Sequence, residues 1–248
     1  MREAASQAWV AGVDGCRAGW LAVVRPITSP LEAQARLIPT FADVLKLPEA
    51  PQVIAIDIPI GLAEVAGIGG RQADVAARSH LGKRQAAVFA VPARAAVMET
   101  DYRTACAVAL ASSDPPRRVS KQTFNLFPKV REVDALMTPT LQERVVECHP
   151  ELAFWALNRQ RPLAEPKKMK SRPHPPGLRL RRQLLVRAGY DRAFLQEAHF
   201  KAADAGPDDL LDACACSWSA ARIAAGGGVR FPADPPVDSR GLRMEIWA

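Results

Sequence analysis

No C-x-x-C pair occurs among the five cysteines, Cys16, Cys106, Cys148, Cys214 and Cys216. An odd count without paired spacing argues against a disulfide framework or a zinc ribbon and fits a reducing, cytoplasmic setting. The first ten residues hold no apolar h-region, so no secretory signal is expected. Nothing approaches the apolar length of a membrane span, which removes a membrane from the expected partners. There is no internal repeat and no P-loop, because Gly226 to Gly228 follow a helical pattern and read as its C-terminal cap. What is present is an ordinary globular composition, 48% hydrophobic and 24% charged over 248 residues. That length suits one large domain, 1–248, able to bury a substantial core.

The net charge of +7 is local. Between Arg159 and Arg182 stand nine Lys or Arg against the lone acid Glu165, while the rest of the chain is nearly balanced. Pro162, Pro166, Pro173, Pro175 and Pro176 make the first part of this segment, 159–182, read as an extended mobile loop. It is either a solvated insertion or a phosphate-backbone surface, with Lys167, Lys168, Lys170, Arg179 and Arg182 as the contacting cations.

Trp9 to Val13 reads as a first strand, Trp20 to Val24 as its hairpin partner and Ala35 to Ile38 as a third. Phe41 to Leu47 is a short amphipathic helix, followed by the apolar run Val53 to Ile58, a fully buried fourth strand. Residues 62–141 are mostly helical in pattern, and Arg144 to Cys148 reads as a fifth strand. Helices are expected near Leu178 to Ala188, Arg192 to Lys201 and Asp208 to Ala225, the last begun by Pro207, and an edge strand within Leu242 to Trp247. Together these predict an α/β fold with a mixed five-stranded RNase H-like sheet, order 3-2-1-4-5, flanked by helices and carrying the helical and basic insertions.

Asp57 lies between isoleucines in the fourth run, where a charge must be paired, hydrogen-bonded or metal-bound. Its plain alternative is a partner for Arg71 or Arg78. Asp14 ends the first run beside Gly15, and a turn role would also explain it. Asp208 and Asp209 meet the positive end of the last helix, worth ~0.3–1 kcal/mol each. Asp212 falls beyond the first turn on the face shared with Asp209, beside small residues. Glu147 ends the fifth apolar run. In such a sheet strands one and four are adjacent, so Asp14 and Asp57 would converge and a final helix would bring Asp209 and Asp212. Clustered carboxylates repel unless a cation neutralises them, and oxygen-only ligation selects Mg²⁺ or Mn²⁺. Two such ions ~3.5–4 Å apart can drive in-line displacement at phosphorus. Lys121, Lys129, Arg71 and Arg94 could line a phosphate path, or be solvated or paired with Asp74, Glu132 and Asp134. His149 could contact phosphate or be an ordinary hydrogen-bonded residue, and Cys214 and Cys216 read as small buried hydrophobes.

The blocks Gly12 to Cys16 with Gly19-Trp20, Ile56 to Gly61, Arg71 to Arg78, Val88 to Arg94, Ser120 to Gln122, Glu147 to Glu151 and Asp208 to Ala213 carry a resemblance. They resemble, in order and over almost the whole chain, the domain-of-unknown-function 429 family (DUF429), predicted nucleases with an RNase H-like fold. More distantly the chain is similar to RuvC-type resolvases, which place acids on the first strand, the fourth strand and the last helix. Their Asp-x-x-Asp-Ala helix pattern matches Asp209, Asp212 and Ala213, whereas their fourth-strand glutamate is Asp57 here. Those enzymes act as dimers on branched DNA.

The expected function is therefore a Mg²⁺- or Mn²⁺-dependent phosphodiester hydrolase acting on nucleic acid, DNA or RNA. Asp14, Asp57, Asp209 and Asp212 are its expected metal ligands and Glu147 a further catalytic acid; a homodimer is compatible with this. Two rivals stay open. An actin- or sugar-kinase-type phosphotransferase shares the sheet, but Gly12 to Cys16 lacks that loop's later Gly and Thr, and there is no second lobe. A non-catalytic nucleic-acid-binding module would keep the fold without the chemistry.

Overall fold

The computed structural model describes residues 7–170, 172–197 and 199–248. The chain divides into two compact units, Met1–Asp57 with Glu165–Val229, and Ile58–Ala164 with Arg230–Ala248. The helical insertion at 62–141 falls wholly in the second unit, and the basic segment is split between the two.

Along the chain come β1 (Trp9–Cys16), β2 (Gly19–Pro26), β3 (Gln34–Ile38), α1 (Phe41–Val44) and β4 (Val53–Ile56). The helical middle holds α2 (Gln72–Ser79), α3 (Arg94–Met98), α4 (Tyr102–Ala111), α5 (Lys121–Phe124), α6 (Phe127–Leu136) and α7 (Pro139–Gln142). Next are β5 (Val145–Glu147), α8 (Pro150–Leu157), β6 (Lys168–Met169) and β7 (Arg172–Pro173). Then follow α9 (Pro175–Arg187), α10 (Arg192–Gln196), α11 (Pro207–Ala224), β8 (Arg230–Phe231) and β9 (Ile246–Trp247). Strands β1 to β5 make one mixed sheet in the expected order β3-β2-β1-β4-β5, flanked by helices. Among the described residues no helix is long and apolar enough to cross a membrane.

In the first unit β1 pairs antiparallel with β2 and parallel with β4, so Val13 stands beside Ile56. The register also pairs Asp14 with Leu21, so Asp14 belongs to the strand and the turn role does not apply. Helix α11 lies against β1 at very short range. A Cβ on Gly12 would come 2.0 Å from the Ser217 nitrogen and 2.1 Å from the Ala213 oxygen, so only glycine fits. Ala213, Cys214, Ala215, Cys216 and Ala220 are fully buried, and these small side chains are what let the helix approach. The Tyr190 hydroxyl fixes the helix further, donating to the Cys214 carbonyl at 2.9 Å and meeting Ser217 Oγ at 2.6 Å.

The first part of the basic segment, 159–167, forms neither helix nor strand, as its prolines lead one to expect, and the expected helix follows as α9. Pro175 opens α9, where a fixed φ and a missing N–H cost nothing. Strands β6 and β7 pair antiparallel, Lys168 opposite Pro173 and Met169 opposite Arg172. The Pro166 carbonyl packs where a Cβ on Gly177 would be, at 1.8 Å. Arg181 is fully buried and donates to the carbonyls of Glu165 and Gly177, both at 3.0 Å. The expected helix Arg192 to Lys201 is shorter, ending at Gln196.

The second unit is organised around Arg71, which is 3% exposed. Its guanidinium donates to Asp74 Oδ1 at 2.8 and 3.1 Å and to Glu147 at 2.6 and 2.8 Å. It also reaches the carbonyls of Ile60 and Gly61 at 2.9 and 3.1 Å. Asp74 Oδ2 accepts from the N–H groups of Arg71 and Val91. His80, Trp155 and Phe231 pack ring against ring with centroids 4.7–5.9 Å apart. The edge strand expected within Leu242 to Trp247 narrows to β9, paired with β8.

Candidate functional site

Three acids of the first unit share one electrostatic environment. Asp14 is on β1 and 8% exposed. Asp57 follows β4, and its N–H donates to the Val13 carbonyl at 2.9 Å, continuing the β1–β4 ladder by one residue. Asp212 lies past the first turn of α11 and is 1% exposed. Burial pushes the Asp14 carboxyl well above the usual range, and the charges of Asp57 and Asp212 push it further. Burial likewise raises Asp212 to about 7, against the pull of Lys167 and with help from Asp57 and Asp208.

Lys167 is the cation that answers these acids. Its ammonium is paired with Asp212 Oδ2, and its side chain is 27% exposed. Desolvation opposes its charge, but Asp212, Asp14 and Asp57 together hold it protonated above the ordinary lysine range. Beside it Lys168 Nζ meets Asp208 Oδ2 at 2.6 Å. Asp209, in the first turn of α11, reaches back to the N-cap residue Gly206, its Oδ2 accepting from the Gly206 N–H at 2.7 Å, and burial raises its carboxyl. Asp212 Oδ1 is buried and has no hydrogen-bond partner. A buried acceptor left without a donor costs about 1–3 kcal/mol, so something outside the chain is the natural partner for it.

The family model described as "Protein of unknown function (DUF429)" matches residues 12–237. The chain belongs to this family. No curated protein and no solved structure matches it.

The structure sorts the expected site residues of this DUF429 chain into separate groups. Asp14, Asp57 and Asp212 act on one another, with Asp209 at the edge. Glu147 does not join them; it lies in the second unit, accepting from Arg71 and from the Ile60 N–H at 2.7 Å. Arg71 is enclosed by carboxylates and carbonyls, which takes it out of a phosphate path, and it pairs with Asp74 and Glu147 rather than with Asp57. Arg94 is committed likewise, to Asp134 and Asp238, both at 2.6 Å. Lys121 rests over the rings of Tyr102 and Phe124 at 4.4 and 5.0 Å. Lys129 is half-buried on α6. His149 caps α8, its Nδ1 accepting from the Glu151 N–H, which is the ordinary role. Lys170 and Arg179 are exposed, and Arg182 donates to the Leu195 carbonyl at 3.1 Å.

Lys167 was expected at a nucleic-acid surface, and its place among the acids is what sequence reasoning missed. It is 45 residues from Asp212, and nothing in either local pattern announces the pair. As they stand, no three or more His, Cys, Asp or Glu among the described residues are gathered as a metal-holding group. Two observations nonetheless fit a hard divalent cation. The donors are all carboxylate oxygens, and Asp212 Oδ1 is buried without a hydrogen-bond partner.

Proposed function

We propose that this protein is a Mg²⁺- or Mn²⁺-dependent nuclease built on an RNase H-like sheet, hydrolysing phosphodiester bonds in nucleic acid. The observation that carries this reading is the convergence of Asp14, Asp57 and Asp212 in one buried, cation-demanding environment with an unpartnered Asp212 oxygen. Asp14, Asp57 and Asp212 would hold the ion, with Asp209 at its edge. When bound, the ion supplies Lewis-acid polarisation and makes water a stronger nucleophile at neutral pH. The chain's own contribution is to exclude solvent from Asp14 and Asp212 and to keep their carboxylates oriented on a strand and a helix. Lys167 carries the balancing charge and can turn toward a phosphate oxygen once the acids are otherwise neutralised.

Asp57→Asn should lower Mg²⁺-dependent cleavage of DNA or RNA by about 10²-fold or more, the scale of losing one charge-stabilising group. Its circular dichroism spectrum should be that of the parent. Undiminished cleavage by that variant would defeat the assignment.

Lys167 also favours a second reading, a nucleic-acid-binding module without catalysis, since an ammonium already answers the acids. Binding with no cleavage of linear or branched DNA and RNA, in Mg²⁺ or Mn²⁺, would select it.

A further inference from the structure

The cations of the basic region are not equivalent. Lys167 and Lys168 are spent on Asp212 and Asp208, and Arg181 is buried against backbone carbonyls. Another set is presented differently. Between α9 and α10, both in the first unit, lies an open groove of about 400 Å³. Arg179, Arg182, Arg187 and Arg192 line it together with Gln183 and Gln196, and among the described residues no carboxylate lies in the lining. Two of these arginines, Arg187 and Arg192, fall outside the basic segment that composition singles out.

The spacing follows from the helix. Residues 179, 182, 183, 186 and 187 recur at intervals of three and four, so they share one face of α9. At ~1.5 Å rise per residue that face runs about 12 Å, room for about three phosphates at ~3.4 Å of axis per strand. Guanidinium forks suit phosphate oxygens, and glutamine amides add donors without adding repulsion. The floor is Val186 and Leu195, with no aromatic ring. A groove without rings has no stacking platform for bases. It can engage a backbone but has little with which to read sequence.

We propose that the α9–α10 groove is a sequence-independent binding site for the phosphate backbone of nucleic acid, and that Lys167 and Lys168, paired with acids, are not part of it. The choice of nucleic acid over other polyanions rests on the nuclease reading. The four arginines and the acid-free lining do not.

The test is fluorescence anisotropy on the full chain with a labelled DNA duplex in EDTA, so that binding is read without cleavage. The triple variant Arg179→Gln, Arg187→Gln, Arg192→Gln changes exposed side chains only. It should weaken binding at least tenfold near 0.1 M salt and reduce the slope of log K against log salt by about 2 to 3, at ~0.9 per lost phosphate contact. Lys168→Gln should leave that slope within 0.3 of the parent, on the order of a third of one contact. Two duplexes of unrelated sequence should bind within about threefold of each other, against the ~1–3 kcal/mol that a base-reading contact would impose. A triple variant with the parental slope overturns the site. So does a parent that binds no duplex, or one that prefers poly-glutamate or anionic vesicles at equal charge. A parent that binds duplex through the groove yet cleaves nothing in Mg²⁺ or Mn²⁺ would count against the acid cluster alone.

Discussion

The two units each enclose carboxylates around one basic side chain, and they differ in how completely the charges are satisfied. In the second unit Arg71 has two acids and two carbonyls, and both Glu147 oxygens and both Asp74 oxygens accept hydrogen bonds. That arrangement is closed, and its chemistry is to hold distant stretches of chain together. In the first unit Lys167 answers three acids whose burial and mutual repulsion drive Asp14 and Asp212 toward protonation, and one Asp212 oxygen has nothing to accept. A saturated cluster stabilises a fold, whereas an undersaturated one in the interior is a place for a ligand.

The largest effect that would sharpen this contrast is in the closed cluster. Arg71→Ala leaves Asp74 and Glu147 buried without a counter-charge, and should cost about 3–5 kcal/mol in urea unfolding. A loss under about 1 kcal/mol would deny the clasp its structural role. Next is the open cluster. Lys167→Met removes the resident cation and should tighten Mn²⁺ binding by about tenfold, on the order of 1.4 kcal/mol. Unchanged or weaker Mn²⁺ binding would mean that the ammonium and the ion do not occupy the same acids. The smallest is a pH effect. With its carboxyl raised to about 7, folded Asp212 binds more protons than the unfolded chain does between roughly pH 4 and 7. The contribution is therefore present at low pH and is lost as pH rises through the folded value. Burial also raises the Glu147 carboxyl to about 7, so both acids contribute. In EDTA the melting temperature should fall by a few degrees from pH 5.5 to pH 8, and Asp212→Asn should reduce that fall without abolishing it. A trend unaltered in the variant would place the titration elsewhere.

Much of this was legible in the residues. The five strands follow from apolar runs of β-branched residues and their order from the likeness to an RNase H-type sheet, and Asp57 stands out because a charge between isoleucines needs a reason. The small residues of α11 announced a close helix, and Gly12 is where that closeness is enforced. Long-range pairing was not legible. Glu147 was conspicuous as an acid ending an apolar strand, but Arg71, its partner, is 76 residues away. In the basic segment the prolines announced the irregular stretch 159–167, but not the pairing of β6 with β7, where Pro173 sits in a two-residue strand. Charge density there suggested one surface, when burial and pairing divide its cations among three duties.

The most direct test of the central claim is Mn²⁺ titration of the parent and of Asp57→Asn by electron paramagnetic resonance, which counts bound ions without requiring activity. Saturable Mn²⁺ binding is expected in the parent at pH 8, with its loss in the variant and competition by Mg²⁺. Equal binding by both proteins, or none by the parent, would contradict it.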